Sequence, residues 1–399
     1  MQTLKNQEIL FNFLEILTKY KKPNIIKKQS KYNWSLVFFL TMFPLVGIFG
    51  TSIYIYFNGV VWYEPILLLV FWFISGMGIT MGYHRLFAHK SYQTNTFLEW
   101  VLMIFGSLAL ENTILKWSSD HRKHHSFSET EDDPYSIVKG FWHAHIGWVL
   151  KNTTEEKSRI VGVKDLEKKS AIIFQNKYYY HIAIIGGVLI PLLIGLVYGR
   201  PLGAVLWGTF LRITLVHHAT FLINSLCHYK GKRTYDNSST SRDSWFISLF
   251  TFGEGYHNYH HKFPSDFRNG ISWFAFDPSK WLISILSFFR ITSHLRKTKD
   301  YLIFKSKFET LYDTLIKRLN NSNDMYQNMY QNRVNLLFKS ANDILLSWQK
   351  IDVNANNIFS YIDKKNLNEY RSEIKKIFKD LHNISQTLKR NSLSPIIIE

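Results

Sequence analysis

Residues 35–57 read SLVFFLTMFPLVGIFGTSIYIYF, an apolar run with no charged side chain. At 1.5 Å per residue such a run crosses the roughly 30 Å of a bilayer's hydrocarbon as a helix. A second run, 61–81, follows across Asn58 to Val60, which leaves room only for a tight turn. Two further runs occupy about 180–199 and 202–226, broken by Tyr198, Gly199, Arg200 and Pro201. Lys19, Lys21, Lys22, Lys27, Lys28 and Lys31 precede the first run, and such basic flanks stay in the cytosol. The expectation is an all-α integral membrane protein with four transmembrane helices in two hairpins, both termini cytosolic, and a cytosolic helical cap. The apolar stretch Phe97 to Leu110 contains Glu99 and is too short to cross, so it reads as a buried or interfacial segment leading into Asn112.

Composition supports this division of the chain. The 399 residues are 46% hydrophobic with a net charge of +18, yet no zinc-finger spacing or aromatic platform for nucleic acid accompanies the Lys and Arg. A basic membrane flank is the better reading, and no nucleic-acid partner is expected. The single cysteine, Cys227, excludes an internal disulfide and a thiolate cage, so any metal rests on imidazoles. The N-terminal segment, 1–34, is polar and Lys-bearing without the pattern of a cleaved signal, so insertion is expected to rely on the spanning helices themselves. A membrane part is expected over 35–290. From 291 to 399, stretches such as TLIKRL, RVNLLF and EIKKIFKDL alternate apolar residues and charges at helical spacing, the mark of a soluble helical region. Asn-rich junctions at 319–323 and 354–357 separate its candidate helices.

Three histidine clusters punctuate the membrane part: HRLFAH at 84–89, HRKHH at 121–125 and HNYHH at 257–261. On the expected topology all three lie on one side of the bilayer. In a helix, residues at i, i+3 and i+4 share a face, so His121, His124 and His125 form one half-site and His257, His260 and His261 another. His84 and His89, five apart, do not share a face of a regular helix, so a helix end or local distortion is expected between them. Eight imidazoles exceed what a four-coordinate structural zinc uses and suffice for two metals. His228 ends the fourth run with Asn224 one turn before it, but on spacing alone it reads at least as well as an ordinary interfacial histidine. His143, His145, His217 and His218 lie outside the clusters and are not expected to be ligands, and Arg212, within the fourth run, should face the bundle interior. Asp120, Glu129, Asp132, Asp133 and Glu254 are the carboxylates near enough to orient the imidazoles. Imidazole alone does not select among zinc, copper and iron. A membrane setting nevertheless favours oxidation of a lipid-like substrate, whose chain must be held dry beside the oxidant.

HRLFAH, WSSDHRKHHSFSETEDDPYS, NSLCH with RTYDN, and GEGYHNYHHKFPSDFRNG occur in this order over 35–285. Together they resemble the successive motifs of the membrane fatty-acid desaturases of acyl-CoA (stearoyl-CoA) type. The resemblance implies an oxidoreductase with two non-haem Fe2+ ions, inserting a cis double bond, most often delta-9, into a saturated acyl chain with dioxygen and two electrons. It implies the ligands His84, His89, His121, His124, His125, His228, His257, His260 and His261, with Asn224 reaching one metal through water. Asn112 and Trp117 match positions near the acyl-CoA route, Arg212 matches a recurring FLR sequence, and Phe71, Trp72 and Phe73 are candidate walls of an acyl tunnel. Ser119 and the KNTTEE stretch at 151–156 depart from basic residues that the animal enzymes place near the CoA head group, where Lys116, Lys123 and Lys151 could compensate. The expected partners are therefore a fatty acyl substrate, most simply acyl-CoA, dioxygen, membrane lipids and, since no HPGG haem motif is present in the sequence, a separate ferredoxin or cytochrome-b donor. The expected location is a bacterial inner membrane or the endoplasmic reticulum, with the metal site cytosolic. A histidine-box hydroxylase and a membrane metal-binding or transport protein are the rival readings.

Overall fold

A computed structural model describes residues 31–152, 159–321, 327–354 and 361–391. Most of the N-terminal lysines, Thr153 to Glu156 of the KNTTEE stretch and parts of both Asn-rich junctions lie outside the described residues. Among the described residues four helices are long and apolar enough to cross a membrane: α1 (Trp34–Asn58), α2 (Tyr63–Ala88), α5 (Ser170–Val197) and α6 (Pro201–Tyr229). The protein is thus a helical membrane protein. Two of these helices begin or end well outside the apolar runs. Helix α2 continues to Ala88, so HRLFAH lies on the helix and not after it, and α5 starts at Ser170. Residues 78–88 are buried inside the protein, where polar side chains find protein partners, so hydropathy underestimates the helix there.

Helix α3 (Thr96–Ser107) is the short apolar segment, and it packs against the end of α2. The approach is close enough to require glycine: a Cβ on Gly78 would sit 2.1 Å from the Gly106 nitrogen. Glu99 on α3 pairs with Lys169 just before α5. Helix α4 (Ile114–Phe127) carries the second cluster, with Thr113 capping it by accepting the Lys116 N–H. After α6 come three short helices, α7 (Trp245–Phe250), α8 (His257–Lys262) and α9 (Pro278–Phe288). A core of Met81, Tyr83, Met103, Ile114, Phe252, Phe267 and Ile283 joins the end of α2 to α3, α4 and α9.

Two short strands, β1 (Gln93–Thr94) and β2 (Thr292–Ser293), pair antiparallel, so the chain past 291 is still tied to the membrane part. Beyond it α10 (Asp300–Asn320), α11 (Gln327–Asn354) and α12 (Tyr361–Asn391) pack on one another. Their own core contains Phe308, Leu315, Leu319, Val334, Leu345, Trp348, Ile374 and Leu381.

Candidate metal centre

The end of α2 resolves the awkward five-residue spacing. Residues 78–88 wind as a π-helix, and the His89 N–H donates to the His84 carbonyl at 3.0 Å, five residues back. The wider turn brings residues five apart close to one face, so both imidazoles enter one site. Arg122 of α4 fixes this end from below, donating to the carbonyls of Phe87 (2.7 Å) and Ala88 (2.9 Å) while paired with Asp165.

Nine imidazoles converge in two groups. His84, His89, His121, His125 and His260 form one; His124, His228, His257 and His261 form the other, with donor atoms in each group within 4.8 Å of one another. The half-site reading of the triplets is thereby corrected: each triplet serves both groups. His121 and His125, a full turn apart, face the first while His124 faces the second; His260 faces the first while His257 and His261 face the second. His228 joins the second group. His143, His145, His217 and His218 belong to neither: His145 meets His218 and Ser225, and His217 Nε2 donates to the Ala109 carbonyl.

The nitrogens point at one another. In the first group the Nε2 atoms of His84 and His260 are 3.1 Å apart, those of His89 and His121 2.7 Å, and those of His125 and His260 2.9 Å. In the second, His124 and His261 are 3.2 Å apart, and His257 lies 3.0 Å from both His228 and His261. A cation about 2.0–2.1 Å from each nitrogen sets neighbouring donors about 2.9–3.4 Å apart, close to these spacings. Burial, reinforced by neighbouring imidazoles, holds His89, His121, His125, His257, His260 and His261 far below the usual histidine range, so their lone pairs are available. The donor set fits a pair of metal ions.

The outer nitrogens of several rings are fixed by partners. His84 Nδ1 lies 2.8 Å from Glu254 Oε2, and His124 Nδ1 lies 2.9 Å from Asp133 Oδ1. His228 Nδ1 lies 2.8 Å from the Thr240 hydroxyl, and His121 Nδ1 3.3 Å from the Tyr135 hydroxyl. Glu254 also binds Arg85 (2.9 Å) and accepts from Asn269 (2.7 Å), and Arg85 in turn meets Asp277 (2.9 Å). Burial would raise the Glu254 carboxyl, but His84 and Arg85 outweigh it and hold it below its usual range. Of the other carboxylates expected nearby, Asp120 pairs with Lys116 at 2.6 Å. Glu129 acts at one remove, accepting the Thr240 N–H and the Ser239 hydroxyl. Asp132 lines the cavity described below. Arg85, Asp277, Tyr135 and Thr240 were not singled out from the sequence, although Arg85 stands inside the first cluster.

A cavity of about 1100 Å³ runs beside both groups. His84, His121 and His257 line it, as do Asn224, Asn112 and Trp117. Part of its wall is charged with both signs, Lys116, Lys123, Lys139 and Lys151 beside Asp120, Glu131, Asp132 and Asp133, and another part is apolar, with Trp72, Ile79, Val216, Phe250 and Phe252. Of the three candidate tunnel aromatics only Trp72 is among the lining residues; Phe71 is buried in a separate cluster with Tyr63 and Leu67, and Phe73 packs edge-on against Phe252. Trp117 stacks on His121 with ring centroids 4.9 Å apart. Its indole N–H donates to Glu111 at 3.2 Å, and Thr220 donates to the other Glu111 oxygen at 2.7 Å. Burial pushes the Glu111 carboxyl up to about 7 despite those two donors. The Asn112 backbone N–H donates to the Tyr179 hydroxyl, and its side chain accepts from Thr113. Arg212 is fully buried, with its guanidinium on the carbonyls of Leu108, Gly187 and Gly208, away from the metal groups.

The fatty acid desaturase family matches residues 61–283, which contain all nine imidazoles. The chain belongs to this family. Among curated relatives, a probable acyl-CoA desaturase of Schizosaccharomyces pombe is 37% identical over 292 residues, 70% of this chain and 60% of that protein. The stearoyl-CoA desaturase of Homo sapiens is 32% identical over 275 residues, 68% of this chain and 74% of the human one. An sn-1 stearoyl-lipid 9-desaturase of Anabaena variabilis is 36% identical over 231 residues, 58% of this chain and 83% of that protein. The match spans only 46% of the acyl-CoA desaturase 1 of Saccharomyces cerevisiae, so this chain covers about half to three fifths of the two yeast relatives.

Proposed function

We propose that this desaturase inserts a cis double bond, at the delta-9 position, into a saturated fatty acyl chain carried as acyl-CoA. The observation that carries the reading is one cavity, polar at part of its wall and apolar at another, that passes both imidazole groups. His84, His89, His121, His125 and His260 would hold one Fe2+, and His124, His228, His257 and His261 the other, with Asn224, one turn before His228 and on the wall of the same cavity, acting through water. When bound, the iron pair supplies activation of dioxygen: two hydrogens leave adjacent methylenes, and with two external electrons and two protons the oxygen ends as two waters.

The protein's share is positional. Trp72, Val216 and Phe252 exclude water from the apolar part of the cavity, where the methylenes lie. Trp117, pinned by Glu111 and stacked on His121, sets the wall that the chain must pass beside the first group. Lys123 and Lys151 on the outer wall would meet the phosphates of a CoA head group, whereas Lys116 pairs with Asp120 and Lys139 with Glu131. Relatives named for acyl-CoA and for acyl-lipid substrates share this family; the acyl-CoA carrier follows the former, which include both yeast relatives and the human one. A separate ferredoxin or cytochrome-b protein supplies the electrons. In this reading the metal groups and both termini face the cytosol, in a bacterial inner membrane or the endoplasmic reticulum, as the basic N-terminal flank favours.

Expression in a desaturase-deficient host, followed by gas chromatography of the lipids with double-bond localisation, tests the reading. A new delta-9 monoene that depends on His260 is the expected result. Hydroxylated chains without alkene would instead assign the oxidant to oxygen insertion, and no change in lipid composition would overturn an acyl-chain role.

A further inference from the structure

The family match ends at 283, and α10 to α12 lie beyond it. Helix α10 is nonetheless bonded to the loop that follows α6. Asn237 Nδ2 donates to the Thr310 carbonyl at 2.7 Å and to the Thr314 hydroxyl at 3.0 Å. The Ser306 hydroxyl donates to the Tyr235 carbonyl, Lys307 Nζ lies over the Tyr235 ring at 5.3 Å, and Ile303 packs in a cluster with Tyr235 and Tyr259. Tyr235 is buried by these contacts.

The inner side of the same loop reaches the second imidazole group. Asn258, between His257 and Tyr259 on α8, gathers the N–H groups of Thr234, Tyr235 and Asp236 on its side-chain oxygen and returns Nδ2 to the carbonyls of Asp236 and Ser241. Glu129 takes the Thr240 N–H from the opposite side. Between these two supports the Thr240 hydroxyl sits on His228 Nδ1. The loop is held at three places, one of which belongs to the C-terminal helices.

We propose that α10 is a positioning element for the metal centre: by clamping Tyr235 and Asn237 it holds the loop that sets Thr240 on His228, so the four-imidazole group depends on the C-terminal helices. This rests on reading the two groups as metal sites. Among the described residues His228 is one of four donors there, and Thr240 is the partner of its outer nitrogen. Loss of such an outer hydrogen bond lowers metal affinity about 10–100-fold. The five-imidazole group contains no residue of the loop, so it should not respond.

The test uses the full chain purified in detergent and loaded with Fe2+, read by metal analysis per chain and by Mössbauer spectroscopy, with no turnover needed. Wild type should bind about two irons. The double variant Asn237→Ala, Ser306→Ala should fall to about one at limiting metal, with one of two spectral components lost. Thr240→Val should lose the same component, and Thr240→Ser should restore it, a rescue that general loosening does not produce. Lys305→Ala, on the exposed side of α10, should leave both components. Unchanged iron in the double variant, or joint loss of both components, overturns the proposal. Wild type that binds no iron overturns the metal reading beneath it.

Discussion

The two imidazole groups differ in how they are held. The first has five donors, of which His84 is braced by an ionic lattice (His84 on Glu254, Glu254 on Arg85 and Asn269, Arg85 on Asp277, all buried) and His121 by the Tyr135 hydroxyl. The second has four, braced by one carboxylate, Asp133, and one hydroxyl, Thr240, while His257 Nδ1 has no hydrogen-bond partner among the described residues. A buried charge lattice fixes ring orientation strongly but fails abruptly when one member is removed. Hydroxyl and loop support yields by degrees. The first group is therefore built as the firm site and the second as the adjustable one.

That contrast can be broken at its firm end. On the proposed diiron reading, His260→Ala, which removes a nitrogen within 3.1 Å of both His84 and His125, should abolish the first iron and reduce desaturation by more than about 100-fold; lipid analysis and iron content read it, with the helices still inserted. Glu254→Gln should follow, because Arg85 is left partly uncompensated in the interior. The expected cost is about 3–5 kcal/mol of stability, seen as a lower unfolding temperature in detergent together with loss of the first iron component. If Glu254→Gln costs no more than a surface change, the lattice does not brace the group.

Asp133→Asn should act at the softer end, weakening the second iron about 10–100-fold while the fold stays intact; equal loss from both groups would erase the distinction. The smallest effect concerns Glu111, which supports Trp117 and not a ligand. Its carboxyl is raised from 4.5 to about 7, so the folded state holds the proton more tightly than the unfolded one. The stability this contributes is complete below the unfolded value, declines as pH rises, and is gone above about 7. Glu111→Gln should flatten that decline in unfolding temperature; an unchanged slope would show that the carboxyl is not the titrating group.

Much of this was legible in the sequence, and the reasons for the rest are physical. Hydropathy located the four spans because lipid-facing residues must be apolar, but it stopped at Met81 where α2 goes on to Ala88 inside protein. Spacing identified the histidines of α4 and α8 as facing together. It did not show that each triplet divides between two sites, since a helical face is wide enough to serve two centres and only the tertiary crossing decides which ring turns where. Family resemblance was needed for His228, which no local pattern separates from an interfacial histidine. Asp277 carried no signal, because it acts through a contact made across the fold, 192 residues from Arg85, and Thr240 carried none because a loop of twelve residues must fold back to bring its hydroxyl to His228.

The π-helical end of α2 constrains anyone who would rebuild this centre. Helix type and residue count are interlocked: an ordinary α-turn brings together residues three or four apart, whereas this one serves five. Deleting one residue between His84 and His89 should let the segment relax into regular helix with both rings still on one face, and grafting HRLFAH unchanged into an idealised α-helical scaffold should fail. The spacing of the box is a statement about backbone winding as much as about metal.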